Sequence, residues 1–339
     1  MCIKNNKMNV QQIVLASRPK GIAQLTDFKF KHVNLPGINQ EEVLLKPICF
    51  SVDPYLRGRM NDEKSYIHAF QINKPIVSNA LAKVIESKSD KFIPGDLVLG
   101  MLPWSEICVV SDKELQKVDA SQEHLSYFLS IWGMTGLTAY IGLMDICKPL
   151  AGETVVVSGA AGAVGMIAGQ IAKIMGCRVV GITGSDEKVK LLVNTYGFDE
   201  AINYKTTTYM SNAIGTVCTD GVDVFFDNVG GDISDAVINN LNFNARIAIC
   251  GQISLYNSTA VPVGPRIQQI LLTKSVMMRG FQVNDFKSEF PDAIEYLTKW
   301  VYEGKLKFTE TAFHGFDQLP AAFLGLFNGE NTGKMIVMI

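Results

Sequence analysis

Residues 153–165, with the sequence ETVVVSGAAGAVG, constrain the fold more than any other stretch of this 339-residue chain. Residues 154–157 are a β-branched apolar run of strand length, and residues 158–161 are a turn of small residues. From Gly162 onwards the chain continues into good helix formers at helical spacing. Small residues let a backbone approach a pyrophosphate, and the N–H groups at a helix start attract its charge. This stretch therefore predicts the phosphate-binding start of a βαβ nucleotide fold.

The glycine spacing in this turn departs from the usual G-x-G-x-x-G pattern. Residues 160–165 match the pattern with Ala160 in its first position, followed by Gly162 and Gly165. Such a match alone also fits an ordinary glycine turn between a buried strand and a buried helix. The strand before the turn and the helix after it are the context that the nucleotide motif requires, and they favour the nucleotide interpretation.

Length and charge limit the class of protein further. A chain of 339 residues is too long for one typical core, so two domains are expected. Hydrophobic residues make up 47% and charged residues 19%, which is typical of a soluble protein. The net charge of -2 argues against nucleic acid and against a membrane surface. The weakly charged residues 154–171 are long enough to span a membrane, but their glycines and strand-like opening argue against that.

The cysteines predict a reducing compartment. Their number is odd, they form no C-x-x-C pair, and the first twelve residues lack the apolar core of a signal peptide. These features predict free thiols in the cytoplasm. The seven are Cys2, Cys49, Cys108, Cys147, Cys177, Cys218 and Cys250.

The first third of the chain predicts a small β-barrel-like domain. Short strands are predicted at residues 12–15, 42–45, 80–85 and 96–99, with turn signals between them. Residues 51–60, SVDPYLRGRM, are polar and irregular and are a candidate site loop. Helical signals replace the strands over residues 124–147.

Strands alternate with helices in the rest of the chain. After the strand at 154–157, further strands are predicted at 178–182, 201–204, 222–227, 246–250 and 276–281. Alternation of this kind predicts an α/β fold with a doubly wound parallel sheet. A helix over 290–302 follows, and the last strand, 334–339, is expected to return to the first domain.

The second strand carries the signal for the type of dinucleotide. An NAD site usually has Asp or Glu at the end of this strand to bind the ribose 2′-hydroxyl, whereas here the strand ends in Ile-Thr-Gly-Ser. Lys188 on the next helix suits a 2′-phosphate instead. Asp186 and Glu187 leave NAD open, although acidic residues also favour the first turn of a helix. These residues favour NADP.

The sequence predicts no metal site. Its four histidines, His32, His68, His124 and His314, are isolated from one another, and no four-cysteine lobe is present. No Ser-His or Cys-His pairing is evident either. Hydride transfer to a polarised carbon–carbon double bond is a reaction that does not need this machinery. The protein must only position the substrate and stabilise an enolate.

Taken together, these motifs resemble the zinc-independent medium-chain dehydrogenase/reductases, and among them the leukotriene B4 dehydrogenase/prostaglandin reductase and plant alkenal double-bond reductase group. The resemblance covers nearly the whole chain. It is carried by SVDPYLRGRM (51–60), GMTGLTAY (133–140), GAAGAVG (159–165), GSDEK (184–188), NYK (203–205), FDNVGG (226–231), CGQISLYN (250–257), RGF (279–281) and GENTGK (329–334).

The resemblance implies the domain organisation and the cofactor. It implies a GroES-like, mainly β catalytic domain at residues 1–130, a Rossmann NADP-binding domain at 131–305, and a C-terminal return to the catalytic domain at 306–339. It also implies that NADP(H) is the cofactor. The residues implied to hold it are Gly162, Ala163, Val164 and Gly165 at the pyrophosphate, Lys188 and Tyr204 at the 2′-phosphate, and Asn228, Cys250, Gly251, Ile253, Tyr256, Phe281, Val283 and Asn331 around the ribose and nicotinamide.

Two tyrosines are implied to be catalytic. Tyr256 matches a family tyrosine beside the nicotinamide ribose, and Tyr66 matches a second active-site tyrosine. The alternative for either is a half-buried ring with its hydroxyl in water. Cys250 could be a nucleophile or simply a packed thiol. Met101, Leu102 and Trp104 could line a substrate cleft or belong to the core.

The expected function is reduction of α,β-unsaturated ketones and aldehydes by NADPH, with hydride delivered to the β-carbon. Two alternatives stay open: an NADPH quinone oxidoreductase of the same superfamily, and a non-catalytic NADP-binding protein. The family further implies a homodimer formed through the nucleotide-domain sheets. No nucleic-acid or membrane partner is expected, and the expected location is the cytoplasm.

Overall fold

The computed structural model describes residues 8–122 and 124–339, so the N-terminal Cys2 lies outside the described residues. The chain divides into two compact units. The first contains the chain up to Leu129, together with Thr311–Glu330 and Met335–Ile339. The second contains Ser130–Glu310 and Asn331–Lys334.

The described residues form strands throughout both units. They are β1 (Asn9–Leu15), β2 (Phe28–Asn34), β3 (Glu42–Ser51), β4 (Val77–Ser87), β5 (Leu97–Pro103), β6 (Cys108–Ser111), β7 (Leu115–Val118), β8 (Thr154–Ser158), β9 (Arg178–Thr183), β10 (Glu200–Asn203), β11 (Val222–Asp227), β12 (Leu241–Ile249), β13 (Met277–Gly280), β14 (Glu310–His314) and β15 (Lys334–Met338).

Helices are concentrated in the second unit. They are α1 (Leu56–Arg59), α2 (Met134–Ile141), α3 (Gly165–Ile174), α4 (Asp186–Asn194), α5 (Met210–Val217), α6 (Gly231–Ile238), α7 (Gln268–Thr273), α8 (Phe290–Tyr302) and α9 (Leu319–Asn328). A π-helical segment, Gly142–Cys147, continues α2.

The first unit is mainly β. Its larger sheet has the strand order β14-β15-β3-β4-β5-β7, with β6 on β3, while β1 and β2 pair separately. The C-terminal strand β15 pairs antiparallel with β3, Val337 lying opposite Phe50. The core of this unit contains Phe50, Trp104 and Phe323. This architecture confirms the prediction of a mainly β, GroES-like domain.

The second unit is the doubly wound parallel sheet that the sequence predicts. Its strand order is β10-β9-β8-β11-β12-β13, with the first strand along the chain, β8, in the middle. Apolar, β-branched runs such as β8 suit this position, because helices cover both faces of a parallel sheet. The strand order reverses between β8 and β11, and ligands of such sheets bind at the carboxyl ends of the strands at that point.

Several elements differ in extent from the sequence prediction. Strand β12 begins at Leu241, five residues earlier than expected, and β3 continues from Glu42 to Ser51. Strand β2, whose burial pattern is mostly exposed, was not predicted. Its register comes from backbone pairing with β1 rather than from an apolar face, so periodicity gives little signal for it.

Candidate active site

The turn after β8 is built around three closely spaced glycines. Gly159 has a φ of +58°, and Gly162 donates its backbone N–H to the carbonyl oxygen of Gly159 at 3.0 Å. A methyl group at Gly165 would lie 2.4 Å from that same oxygen. The N-terminus of α3 is therefore packed directly onto the turn, which is the arrangement that presents a helix start to a pyrophosphate. Ala163 and Val164, between these glycines, are partly exposed.

The C-terminal segment places Asn331 beside this turn. Gly333 donates its N–H to the carbonyl of Ala161 at 2.8 Å, and Gly162 and Gly333 form an isolated β-bridge. The Asn331 amide donates to the carbonyl of Gly333 at 2.8 Å. Asn331 is about 170 residues away from the turn in sequence, so only the folded chain brings them together.

The acidic residues after β9 are engaged in local contacts. Asp186 accepts a hydrogen bond from the Asn203 side chain at 2.7 Å. Hydrogen bonds from its own backbone N–H and from Ser185 lower the pKa of Glu187. Ser185 itself caps α4 by accepting from the Lys188 N–H at 3.3 Å. These contacts support the helix-start role for Asp186 and Glu187.

A basic pocket lies at the same strand end. Lys188 is half-buried, and burial together with the nearby charge of Lys205 lowers its pKa. The Tyr204 ring lies over Gly184, where a methyl group would come within 3.0 Å of Tyr204 Cε1. Two ammonium groups that repel each other gain when an anion binds between them. The arrangement fits a phosphate better than a neutral hydroxyl.

Asp227 organises the carboxyl ends of β8 and β11. Its side chain is 2% exposed and accepts from Ser158 Oγ at 2.8 Å, from the Val229 N–H at 3.0 Å and from the Gly230 N–H at 3.1 Å. Its second oxygen accepts from Ser234 Oγ. Sequence reasoning did not single out Asp227, although a carboxylate that ends a buried strand is a signal that could have identified it.

The Asp227 network fixes Asn228 and the segment after β12. Asn228 donates its backbone N–H to Ser158 Oγ at 2.9 Å and its amide to the Ser158 carbonyl at 2.7 Å. The Asp227 carbonyl accepts from the N–H groups of Cys250 and Gly251 at 2.8 and 3.1 Å. The ends of three neighbouring strands are thereby held in one arrangement.

Tyr256 lies beside the carboxyl ends of these strands. It follows the 3₁₀ turn Ile253–Leu255 and is half-buried. A methyl group at Gly251 would lie 3.3 Å from the Tyr256 hydroxyl and 3.2 Å from the Asn228 carbonyl oxygen. The structure therefore brings Asn228, Gly251 and the phenol of Tyr256 together, and the missing side chain of Gly251 permits this close approach.

Cys250 is suited to packing rather than to nucleophilic chemistry. Burial, assisted by the charge of Asp227, raises the pKa of the Cys250 thiol to about 12. The thiol is then protonated at neutral pH, whereas a nucleophilic cysteine needs its thiolate. Of the two alternatives that the sequence left open, the packed thiol is the one supported.

Phe281 and Val283 follow the next strand, β13. Phe281 packs where Gly142 leaves room, since a methyl group there would lie 2.9 Å from Phe281 Cζ. Its ring also meets Phe286 edge to face, with centroids 6.5 Å apart. Val283 begins the 3₁₀ segment Val283–Glu289. Both side chains are half-buried at the end of a strand adjacent to β12.

The segment at residues 51–60, the candidate site loop, lies in the first unit and is largely buried. Ser51 ends β3, α1 follows, and Asp53 and Arg57 are buried. Arg57 donates to Asn61 Oδ1 at 2.6 Å and to the Gly21 carbonyl at 2.7 Å. These polar groups therefore find partners inside the protein rather than in water.

The residues beyond this segment divide between surface and core. Tyr66 lies in the loop between α1 and β4 and is 66% exposed. Leu102 and Trp104 are buried in the core, where Trp104 donates to Ser78 Oγ at 2.9 Å. Core packing is therefore the better interpretation of these two, and Met101 is partly exposed.

Over residues 8–122 and 124–339, no three His, Cys, Asp or Glu side chains lie together in a way that could hold a metal ion. Within the same residues, no helix has the length and apolar character needed to cross a bilayer.

The fold and this site together define a dinucleotide-dependent oxidoreductase of the two-domain, medium-chain type. Family models agree: residues 11–118 match one described as "N-terminal domain of oxidoreductase", and residues 163–299 match one described as "Zinc-binding dehydrogenase".

Individual relatives define the group. The chain is 51% identical to a Bacillus subtilis (strain 168) protein named "Putative NADP-dependent oxidoreductase YfmJ", over 97% of both chains. It is 41% identical to the "2-alkenal reductase (NADP(+)-dependent)" of Nicotiana tabacum, again over 97% of both. The crystal structure of CurA from Vibrio vulnificus in complex with NADPH is similar with a TM-score of 0.93 and 40% identity, covering 97% of this chain and 98% of that one. This chain belongs to the zinc-independent medium-chain dehydrogenase/reductases, in the group of alkenal and enone double-bond reductases.

Proposed function

We propose that this protein reduces the carbon–carbon double bond of α,β-unsaturated ketones and aldehydes with NADPH. The observation that carries this proposal is the likeness to the tobacco 2-alkenal reductase over nearly the full length of both chains. The basic pocket formed by Lys188, Tyr204 and Lys205 supports NADPH as the reductant, because it suits a 2′-phosphate.

The binding roles follow the geometry of the second unit. Gly162, Ala163, Val164 and Gly165 offer the turn and helix start to the pyrophosphate, with Asn331 beside them. Lys188 and Tyr204 bind the 2′-phosphate. The ribose and nicotinamide end is surrounded by Asn228, Cys250, Gly251, Ile253, Tyr256, Phe281 and Val283.

NADPH, when bound, supplies a hydride to the substrate β-carbon. As that bond forms, the electron pair of the double bond moves toward the carbonyl and negative charge develops on its oxygen. The Tyr256 phenol donates a hydrogen bond to this oxygen, and a preorganised donor of this kind lowers the barrier by about 3 kcal/mol. Tyr66 is proposed as a second catalytic tyrosine on the family resemblance. The α-carbon finally takes a proton, so each turnover consumes one NADPH and one proton and yields the saturated carbonyl compound.

The test follows NADPH oxidation with a set of enones and enals. NADPH deuterated at its reactive position should place one deuterium on the β-carbon of the product, which mass spectrometry detects. Matched allylic alcohols, which lack the carbonyl, should not react. Absence of turnover with every enone and enal would overturn the proposal, and turnover of quinones alone would identify a quinone oxidoreductase instead.

We also propose a homodimer that forms through the β13 edge of the parallel sheet. Strand β13 is the last strand of that sheet, and Met277 on it is 37% exposed. The exposed apolar side chains of Val263 and Leu272 come from the segment just before it, at 96% and 77% exposure. An exposed sheet edge with apolar residues is a template for pairing with another chain.

A cytoplasmic location is proposed for the same protein. All six described cysteines are free thiols; five are buried and Cys250 is partly buried. Free thiols in such number suit a reducing compartment. Cell fractionation with compartment markers tests the location, and recovery of the protein outside the cytoplasmic fraction would contradict it.

A further inference from the structure

Gln170 is a buried polar residue on α3, the helix that begins just after the glycine turn that follows β8. Its side chain is 2% exposed and lies among the apolar side chains of the helix, such as Ile167 and Ile171. An amide that is buried without hydrogen-bond partners costs free energy. The partners of Gln170 therefore indicate why a polar residue occupies this position.

Both ends of the Gln170 amide are hydrogen-bonded. Its Nε2 donates to the carbonyl of Met166, one turn earlier in the same helix, at 2.8 Å and to the carbonyl of Lys307 at 2.9 Å. Its Oε1 accepts from the Lys307 N–H at 2.8 Å. The side chain thus pairs with the backbone of Lys307 as a neighbouring strand would, although the two residues are 137 positions apart in sequence. This pair of bonds fixes residues 307–310 on α3.

Residues 307–310 have a second anchor in the same unit. The Tyr196 hydroxyl, which is buried, donates to Thr309 Oγ1. The Thr309 carbonyl accepts from the Lys334 N–H at 3.0 Å. A methyl group at Gly333 would lie only 1.9 Å from that carbonyl oxygen. Residues 307–310 are therefore packed directly against the segment that carries Gly333 and Lys334.

That segment also contacts the turn after β8. Gly333 donates its N–H to the Ala161 carbonyl at 2.8 Å and forms a β-bridge with Gly162. A closed ring of contacts results: it runs from the turn along α3 to Gln170, from there to residues 307–310, and through Gly333 back to the turn. Every member of this ring belongs to the second unit.

We propose that Gln170 is a positioning residue for cofactor binding: it fixes residues 307–310 on α3, and these hold Asn331–Lys334 against the turn that receives the pyrophosphate. This inference rests on the proposed function, which assigns NADPH to this turn. Without the Gln170 amide, the N–H and carbonyl of Lys307 lose their buried partners, and the segment that carries Asn331 opens in a fraction of the molecules. Because only the closed form presents the complete site, the affinity for the cofactor falls with the population of that form.

The principal variant is Gln170→Met, because methionine keeps the length and the helix propensity of glutamine but cannot form these hydrogen bonds. Calorimetric titration should show the Kd for NADPH raised roughly 10-fold. Adenosine 2′-monophosphate, which carries the 2′-phosphate but no pyrophosphate, should bind as it does to the wild type. An unchanged Kd for NADPH, or equal weakening of both ligands, would overturn the proposal.

Lys173→Met is the matched control on the same helix. The Lys173 ammonium donates to the Asp199 carboxylate at 2.8 Å and to the Cys177 carbonyl at 3.1 Å, and both partners lie outside residues 307–310. Both variants remove hydrogen bonds of α3 and should lower Tm, whereas only Gln170→Met should raise the Kd for NADPH. Equal Kd values in the two variants would assign Gln170 a structural role only.

Tyr196→Phe tests the same segment with a smaller disturbance. It keeps the buried ring and removes the bond to Thr309, so this variant should fold even where Gln170→Met does not. Thr309→Val breaks the same bond from its other end. Each should raise the Kd for NADPH roughly 2-fold to 5-fold, and the double variant should go no further, because the two residues form one contact. Unchanged affinity in all three variants would also overturn the proposal.

Hydrogen exchange of the protein without cofactor keeps this proposal separate from the proposed function. The Gly333 amide, which donates to the Ala161 carbonyl, should exchange faster in Gln170→Met than in the wild type or in Lys173→Met. Faster exchange and a raised Kd in an enzyme that reduces no enone would leave the role of Gln170 standing while the proposed function fails. Normal enone turnover with unchanged exchange and unchanged affinity would have the opposite meaning.

Discussion

Tyr256 is the residue on which the proposed chemistry most depends. Its hydroxyl lies beside the Gly251 backbone, in a position fixed by the Asp227 network. Replacing Tyr256 by Phe removes the donor and keeps the ring, so kcat should fall roughly 100-fold while the Kd for NADPH stays the same. Single-turnover kinetics and a fluorescence titration measure these two quantities. Tyr209→Phe, at a 74% exposed tyrosine, is the control, and equal rates in both variants would remove Tyr256 from the mechanism.

We propose that Lys188 determines the choice between NADP and NAD. Its pKa is lowered by burial and by Lys205, so binding of a phosphate relieves a repulsion already present in the free protein. Lys188→Ala should weaken NADPH binding roughly 10-fold to 100-fold and leave NADH binding nearly unchanged. Calorimetric titration of both cofactors measures the difference. Lys190→Ala, exposed on the same helix, is the matched control, and equal weakening for NADPH and NADH in Lys188→Ala would contradict the assignment.

At the scale of elements, the buried carboxylate of Asp227 joins β8, β11 and the start of α6. Asp227→Ala leaves buried hydroxyl and N–H groups without an acceptor and should lower the free energy of unfolding by about 3 kcal/mol. Asp227→Asn should cost much less, because the amide oxygen can accept from the three donors at Oδ1 and Ser234 can turn to accept from the amide nitrogen. Thermal unfolding measures the stability of both variants. Equal losses of free energy of unfolding in Asp227→Ala and Asp227→Asn would mean that the negative charge of Asp227 is required.

The order of elements in the second unit shows where a local sequence pattern is sufficient to predict the structure. The alternation of strands and helices after residue 153 is visible in the sequence because buried strands such as β8 and β9 are short apolar runs rich in β-branched residues. The segment from Ser51 to Met60 does not follow from pattern, since a buried Arg57 and a solvent-facing arginine look identical in a sequence. Its burial depends on the carbonyls of Gly21 and Pro19, which lie more than 35 residues earlier.

At the scale of the whole molecule, the proposed dimer depends on a sheet edge. Placing a charge at the centre of the apolar patch should prevent pairing, so Met277→Lys is expected to convert a dimer into a monomer. Light scattering coupled to size-exclusion chromatography measures the mass in solution. Leu150→Lys, at a 66% exposed leucine away from this edge, is the control and should leave the mass unchanged. A wild-type protein that is monomeric at all concentrations would overturn the proposal.

The sequence by itself determined the order of strands and helices, the glycine turn after β8 and the absence of a carboxylate at the end of β9. These features follow from backbone sterics and short-range periodicity, which any local stretch carries with it. The tertiary structure alone decided that Ser158, Asp227 and Gly251 form one network and that Asn331 lies beside a turn about 170 residues away. Such convergence depends on which strand ends become neighbours and which buried polar groups find partners, and neither is encoded in a local pattern.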